Sequence, residues 1–174
     1  MERQTIVHPL LPFYRPDSRI LLLGSFPSPK TREMKFFYGH PQNRMWKVLA
    51  AVFNDDVPAT VEERRAFLTR HRIAMWDVLY SCEIAGASDA SIRNPVPTDL
   101  HEILAHSAIG HIYTTGSTAG KYYKKFHEPL YRVPHTVLPS TSPANAAVSL
   151  EKLIGAYRSA FETDGVLVKD AAVV

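Results

Sequence analysis

Cysteine is almost missing from this chain. Of 174 residues one is cysteine, Cys82, which excludes an internal disulfide, a four-cysteine zinc site and a cysteine-held iron–sulfur cluster. A lone thiol fits a reducing compartment, so the expectation is a cytoplasmic protein. Long apolar runs are missing as well. Stretches such as residues 20–24 are only a few residues long, against the about 20 that a membrane-crossing helix needs. The first residues lead into no apolar signal core, so no export is expected. Neither sign of charge dominates. The formal net charge of +3 permits a nucleic-acid partner without identifying one. The sequence has no repeats, low-complexity tracts or inter-domain linkers. With 45% hydrophobic and 21% charged residues the composition is globular. The length predicts a single domain over residues 1–174, with residues 165–174 as a frayed tail.

What is present is an alternation. Residues 20–24, Ile-Leu-Leu-Leu-Gly, form a continuous apolar run ending in glycine, the pattern of a strand buried on both faces. Similar runs predict strands near residues 19–24, 73–78, 109–114 and 135–139. Helical patterns lie between them. Met45, Val48, Leu49 and Val52 repeat at i, i+3, i+4 and i+7. Thr60 with Glu63 makes a capping box for a helix towards His71. Thr98 can cap a helix carrying Leu100, Ile103 and Leu104, and Ser117 one running to Phe126. The last helix shows Leu150, Leu153, Ile154, Tyr157 and Phe161 on one stripe. Strands alternating with helices predict an α/β fold, a parallel sheet of four strands with helices on both faces. Ligands of such sheets bind beyond the C-terminal strand ends. That directs attention to the loops at 24–41, 80–97, 114–117 and 139–144.

Several familiar motifs fail on inspection. Residues 116–121 look like a phosphate-binding loop but are one residue short between the glycines, and Tyr122 stands where Ser or Thr would bind magnesium. His101, His106 and His111 are five apart and do not share a helix face, and no His-Glu-x-x-His is present, so no metal site is expected. No Gly-x-Ser-x-Gly elbow exists. Glu83 and Asp89 could form a carboxylate pair, though nothing in the sequence forces them together.

The loop after the first strand is richer. Gly-Ser-Phe-Pro-Ser at 24–28 leaves the strand's C-terminal end, and Phe-Phe-Tyr-Gly-His-Pro-Gln-Asn-Arg-Met-Trp follows at 36–46. Aromatic, amide and hydroxyl groups at that place suit a planar heterocyclic base, stacked on its face and read along its edge. The alternative is packing: Phe36, Phe37 and Trp46 can belong to the core, and Asn43 can cap the helix that begins after Arg44.

Taken together, four segments resemble the uracil-DNA glycosylase superfamily, and within it the DNA-deoxyinosine (hypoxanthine) glycosylase branch. They are the 24–28 motif, residues 37–46, Trp-Asp-Val at 76–78 with residues 81–83 and 88–92, and Ser-Thr-Ser-Pro-Ala-Asn at 140–145. The resemblance implies a three-layer α/β/α sandwich around a four-stranded parallel sheet. It implies a monofunctional DNA glycosylase that hydrolyses the bond between sugar and deaminated base, hypoxanthine foremost. Uracil, or a binding module of the same fold without strong catalysis, are the alternatives. Asn43 is implied as the principal catalytic group, holding a water, and Gly24, Ser25, Phe26, Pro27, Phe37, Tyr38 and His40 as the base pocket. Ser140, Ser142, Pro143 and Asn145 are implied near the DNA backbone. Lys30, Arg44 and Arg93, and also Arg32 and Lys121, lie in or beside the loops at the C-terminal strand ends, so some of them are expected to flank phosphates. No matched motif places a lysine for Schiff-base chemistry, and no cofactor or metal is implied. The resemblance implies damaged DNA as the partner and a monomeric enzyme. One departure stands out. Many superfamily members carry Asp, Glu or Asn in the first motif to orient water, whereas this chain has Ser25 after the glycine, a weak base.

Overall fold

The computed structural model describes residues 2–167. In chain order the elements are β1 (Gln4–Val7), β2 (Ile20–Gly24), α1 (Pro29–Met34), α2 (Met45–Phe53), α3 (Val61–His71), β3 (Ile73–Asp77), β4 (Leu79–Ile84), β5 (Arg93–Pro97), α4 (His101–Ala105), β6 (His111–Thr115), α5 (Ser117–Tyr122), β7 (His135–Leu138) and α6 (Leu150–Thr163). The main sheet runs β3-β2-β6-β7 with every pairing parallel. The four strands expected from sequence are these four.

β2 explains the layering. Its side chains alternate between two cores. Ile20 and Leu22 meet Met45, Leu49, Phe67, Leu153, Tyr157 and Phe161 from α2, α3 and α6. Leu21 and Leu23 meet Leu100, Ile103, Ala119 and Tyr122 from α4 and α5, together with Leu79 and Cys82. Both faces are covered, so the strand needs no polar side, and the fold is the α/β/α sandwich around a parallel sheet.

A second sheet, β1-β4-β5, is antiparallel. The sequence predicts a loop over residues 80–97, where the structure has β4 and β5. β1 is mostly exposed, and β5 carries Pro95 and Pro97 on an edge with two register shifts against β4. Proline is tolerated on such edges, and the pairing leaves no apolar alternation to read.

Helix ends follow local chemistry, with corrections. Thr60 Oγ1 accepts the Glu63 N–H at 3.1 Å, as expected, while the Glu63 carboxylate reaches back to the Ala59 N–H at 2.8 Å. Thr98 caps nothing; its hydroxyl donates to the Asp77 carbonyl at 2.8 Å, and α4 is a short helix. Gly116, at φ 98°, stands at the cap of α5, and the helix gives way to a π turn at Tyr123–His127. The Ser149 hydroxyl caps α6, whereas Ser142 caps the 3₁₀ turn Pro143–Asn145. The start of the expected frayed tail is docked: Val166 is buried and its carbonyl takes a bond from Arg19. The rest of that expectation, residues 168–174, lies outside the described residues.

Candidate active site

The C-terminal ends of β2, β3 and β6 open into a cavity of about 260 Å³. That is the scale of one heterocyclic base, a little under the ~300–1,000 Å³ of pockets for larger ligands. Every residue expected at the base pocket lines it: Gly24, Ser25, Phe26, Pro27, Phe37, Tyr38 and His40, together with Asn43. Ser140, Ser142 and Pro143 close it from the loop after β7. Phe36 and Trp46 are core instead, stacked with ring centres 6.1 Å apart.

Gly24 makes room for a carboxylate. It pairs with Asp77 across β2 and β3, and a Cβ on Gly24 would lie 2.5 Å from Asp77 Oδ1. Asp77 Oδ2 takes the Nε2–H of the fully enclosed His8 at 2.7 Å. His8 Nδ1 accepts the Leu10 N–H at 3.1 Å, which fixes the tautomer. The same imidazole packs edge-on against Phe26, with centroids 5.8 Å apart, and braces that wall. Asp77 lines the cavity, and its Oδ1 has no hydrogen-bond partner among the described residues. The sequence alone gives Asp77 no role. His8 lies 69 residues away, and only the β2–β3 register sets the carboxylate over a glycine.

Tyr38 sits in the left-handed region at φ 52°. Its hydroxyl is 3.2 Å from Thr115 Oγ1, which donates onward to the Leu23 carbonyl. Burial, then the Asp77 charge, raises the phenol pKa, so Tyr38 is a neutral donor.

Asn43 engages the start of α2 and also lines the cavity. Its Oδ1 accepts the Met45 N–H at 2.9 Å, satisfying the start of α2, and the Thr141 hydroxyl at 2.8 Å. A backbone donor on that atom identifies it as the oxygen. The remaining end is the amine, in a cavity-lining residue.

Arg44 was expected on a phosphate. Its guanidinium instead donates to the carbonyls of Ser142, Asn145 and Val148, and its N–H to the Thr141 carbonyl. It holds the loop after β7 against the start of α2. Asn145 Nδ2 donates to the Ser140 carbonyl at 2.9 Å, and Asn145 borders a shallower neighbouring groove. Lys30 is exposed beside Glu33 at 3.4 Å. Arg93 is exposed on β5, and Lys121 lies over the Tyr122 ring. Arg32 is half-buried on α1. None of these four lines the cavity.

A second carboxylate does. Asp89 Oδ1 accepts the Ser25 hydroxyl at 2.9 Å. Burial of the carboxyl, with the Asp77 charge adding to it, raises its pKa. The pair suggested by sequence, Glu83 with Asp89, does not form: Glu83 accepts from Asn94 at 2.7 Å and is not in the cavity wall. Asp77 is the carboxylate that faces Asp89. Among the described residues no group of three His, Cys, Asp or Glu side chains stands ready to hold a metal ion, and no helix is long and apolar enough to cross a membrane.

Comparisons with known proteins show the family and the fold. Residues 11–163 match the family model of the uracil DNA glycosylase superfamily. A hypoxanthine DNA glycosylase of Methanosarcina acetivorans is 30% identical over 140 residues, 76% of this chain and 84% of that protein. One from Methanosarcina barkeri is 30% identical over 79 residues, 45% of this chain and 50% of that one. In fold, the chain is similar to a solution NMR structure of a Methanosarcina acetivorans protein described as a candidate uracil DNA glycosylase. That likeness has a TM-score of 0.73 and 24% identity, and covers 86% of this chain and 95% of the other.

Proposed function

The chain belongs to the uracil DNA glycosylase superfamily and is a DNA glycosylase; on that premise we propose that its substrate is hypoxanthine in DNA, cut free by water at the base–sugar bond. The observation that carries this reading is the bond from Thr141 to Asn43 at 2.8 Å, which joins the two motif loops over a base-sized cavity.

The base must leave the helix to reach the cavity. Phe26 and Phe37, with Tyr38, then form the walls of its slot. Asp77 Oδ1 is a fixed acceptor and suits a base with a ring N–H beside a carbonyl. Hypoxanthine has that edge; adenine, with a ring acceptor there, does not. Uracil, guanine and thymine carry it too, so among the purines this edge separates hypoxanthine from adenine alone; uracil, the other deaminated base, is the second reading. Asn43 holds the attacking water through its amine, because its oxygen is already engaged by Met45 and Thr141. As the bond breaks, positive charge grows on the sugar and negative charge on the base, and hydrogen-bond donors facing the base stabilise the latter.

No lysine lines the cavity, which supports hydrolysis without strand cleavage. The loop at 140–145, with the exposed Lys30, Arg93 and Lys121, faces the backbone phosphates. In this reading the enzyme works as a monomer in the cytoplasm on damaged DNA, without metal or organic cofactor. The test is incubation with duplexes carrying one inosine or one uracil. The expected product is an intact strand that breaks at the modified position only after alkali. Duplexes that survive alkali in both cases would refute the reading.

A further inference from the structure

An amide can hold a water but cannot take its proton, so Asn43 leaves the hydrolysis without a base. We propose that Asp89 is that base, a further catalytic residue, and that Ser25 is the residue positioning its carboxylate. The proposal rests on the reading of the chain as a hydrolase of the base–sugar bond.

Asp89 lines the same cavity as Asn43 but arrives from elsewhere, on the turn Asp89–Ser91 between β4 and β5. That turn is pinned. Ser91 Oγ accepts the Ala85 N–H at 2.9 Å and donates to the Ser88 carbonyl at 2.6 Å, and the Arg3 guanidinium bonds the Ser91 carbonyl. Ser25 donates to Asp89 Oδ1 at 2.9 Å, and Oδ2 has no partner among the described residues. One carboxylate oxygen is therefore anchored and the other is left to accept from water. This accounts for the departure in the first motif. The hydroxyl after Gly24 is a poor base, but it docks a carboxylate brought by the neighbouring hairpin into the place where the motif itself has none.

The surroundings suit a base. The turn residue is exposed to solvent, which lets water in, while the protein packed around its carboxyl group and the Asp77 charge push its pKa above the ordinary carboxylate range. The groups facing it are Ser25, Asp77 with its partner His8, Cys82 of β4 and Tyr122 of α5; Arg32 of α1 faces Cys82. Burial pushes the Cys82 thiol up to about 11 and raises the Tyr122 phenol. Both stay neutral across about pH 5–8, the range where an ordinary histidine changes charge.

In the step itself the water oxygen bonds to the sugar C1′. The C1′–N bond breaks, and its electron pair goes to the base nitrogen. One water proton passes to Asp89 Oδ2, and from there to the departing base or to bulk water.

The experiment is a pH–rate profile of single-turnover excision from inosine and uracil duplexes, for the parent and three variants. The parent rate should fall in acid as Asp89 is protonated. Asp89→Asn should lower the plateau by about 10²-fold or more and remove that acid limb, while duplex affinity and thermal unfolding stay near parent values. Ser25→Ala should keep the limb but move it to higher pH, because the lost hydrogen bond had been lowering the Asp89 pKa. Glu83→Gln should match the parent. Parent-like rate and limb in Asp89→Asn would overturn the proposal alone. If that variant fails to fold, a limb in Ser25→Ala that stays in place or moves to lower pH would overturn it. A parent that releases neither base would overturn the functional reading, and the proposal with it.

Discussion

The carboxamide of Asn43 is divided between two tasks, and its two ends are separable by mutation. Asn43→Ala removes both. Loss of one positioned polar group lowers the single-turnover rate by roughly 10²–10³-fold, and that is the expected result, with duplex binding retained. Asn43→Asp keeps an oxygen for the Met45 N–H and the Thr141 hydroxyl but replaces the amine with an acceptor. If the amine is the working end, the aspartate variant loses as much rate as alanine while folding normally; near-parent excision would assign the work to the oxygen. Asn43 is visible as a candidate through the family resemblance that His-Pro-Gln-Asn-Arg carries, while the helical stripe after it offers the cap. The sequence could not choose between cap and catalyst, since the same atom contacts Met45 two residues on and Thr141 98 residues away. Asp77 was less legible still, because its position depends on the absence of a side chain at Gly24 in the paired strand.

At the scale of elements, the site is two loops latched together. Arg44 is the latch, with guanidinium bonds to Ser142, Asn145 and Val148. Hydrogen bonds to charged groups contribute about 1.5–3 kcal/mol. Arg44→Ala is therefore expected to lower unfolding stability by about that much and to slow excision by loosening the 140–145 loop. Arg44→Lys should not rescue it, because one ammonium cannot replace a planar fork serving three carbonyls. A lysine variant with parent stability and rate would return Arg44 to the role of phosphate contact. Elements with two buried faces were readable from sequence, β2 above all, whose five residues are all buried. β1 and β5 were not, because an exposed edge strand has no apolar pattern. The hairpin joining β4 to β5 delivers Asp89, so the part of the fold hardest to read also holds the carboxylate missing from the first motif.

For the whole molecule, histidines couple stability to pH. His135 is held down to about 4 by burial first, then by Lys124 and His111. Burial also lowers the pKa of His111 and His127. The unfolded chain binds protons at these sites near pH 6.5, whereas the folded chain keeps His135 neutral down to about 4. Below pH ~6.5 the unfolded state therefore holds more protons, and stability falls as pH drops through that window. Asp89, with its raised pKa, acts in the opposite sense but is a single group against three. Thermal midpoints should decline from pH 7.5 to pH 5, and His135→Gln should flatten the slope; a midpoint constant over that range would contradict the assignment. Duplex binding should also weaken with salt, by about 0.9 counterion for each phosphate neutralised, and salt-independent affinity would remove Lys30, Arg93 and Lys121 from the interface. The proposed reaction is hydrolysis, in the cavity above the sheet, of the bond between the sugar and hypoxanthine. Its most direct test is mass-spectrometric detection of the free base after single-turnover reaction with matched duplexes containing inosine, uracil or only normal bases. The account predicts free hypoxanthine from the inosine duplex, no free adenine from any duplex, and near-complete loss of hypoxanthine release in Asn43→Ala. Release of no base from the inosine and uracil duplexes, or equal release by Asn43→Ala, would contradict it.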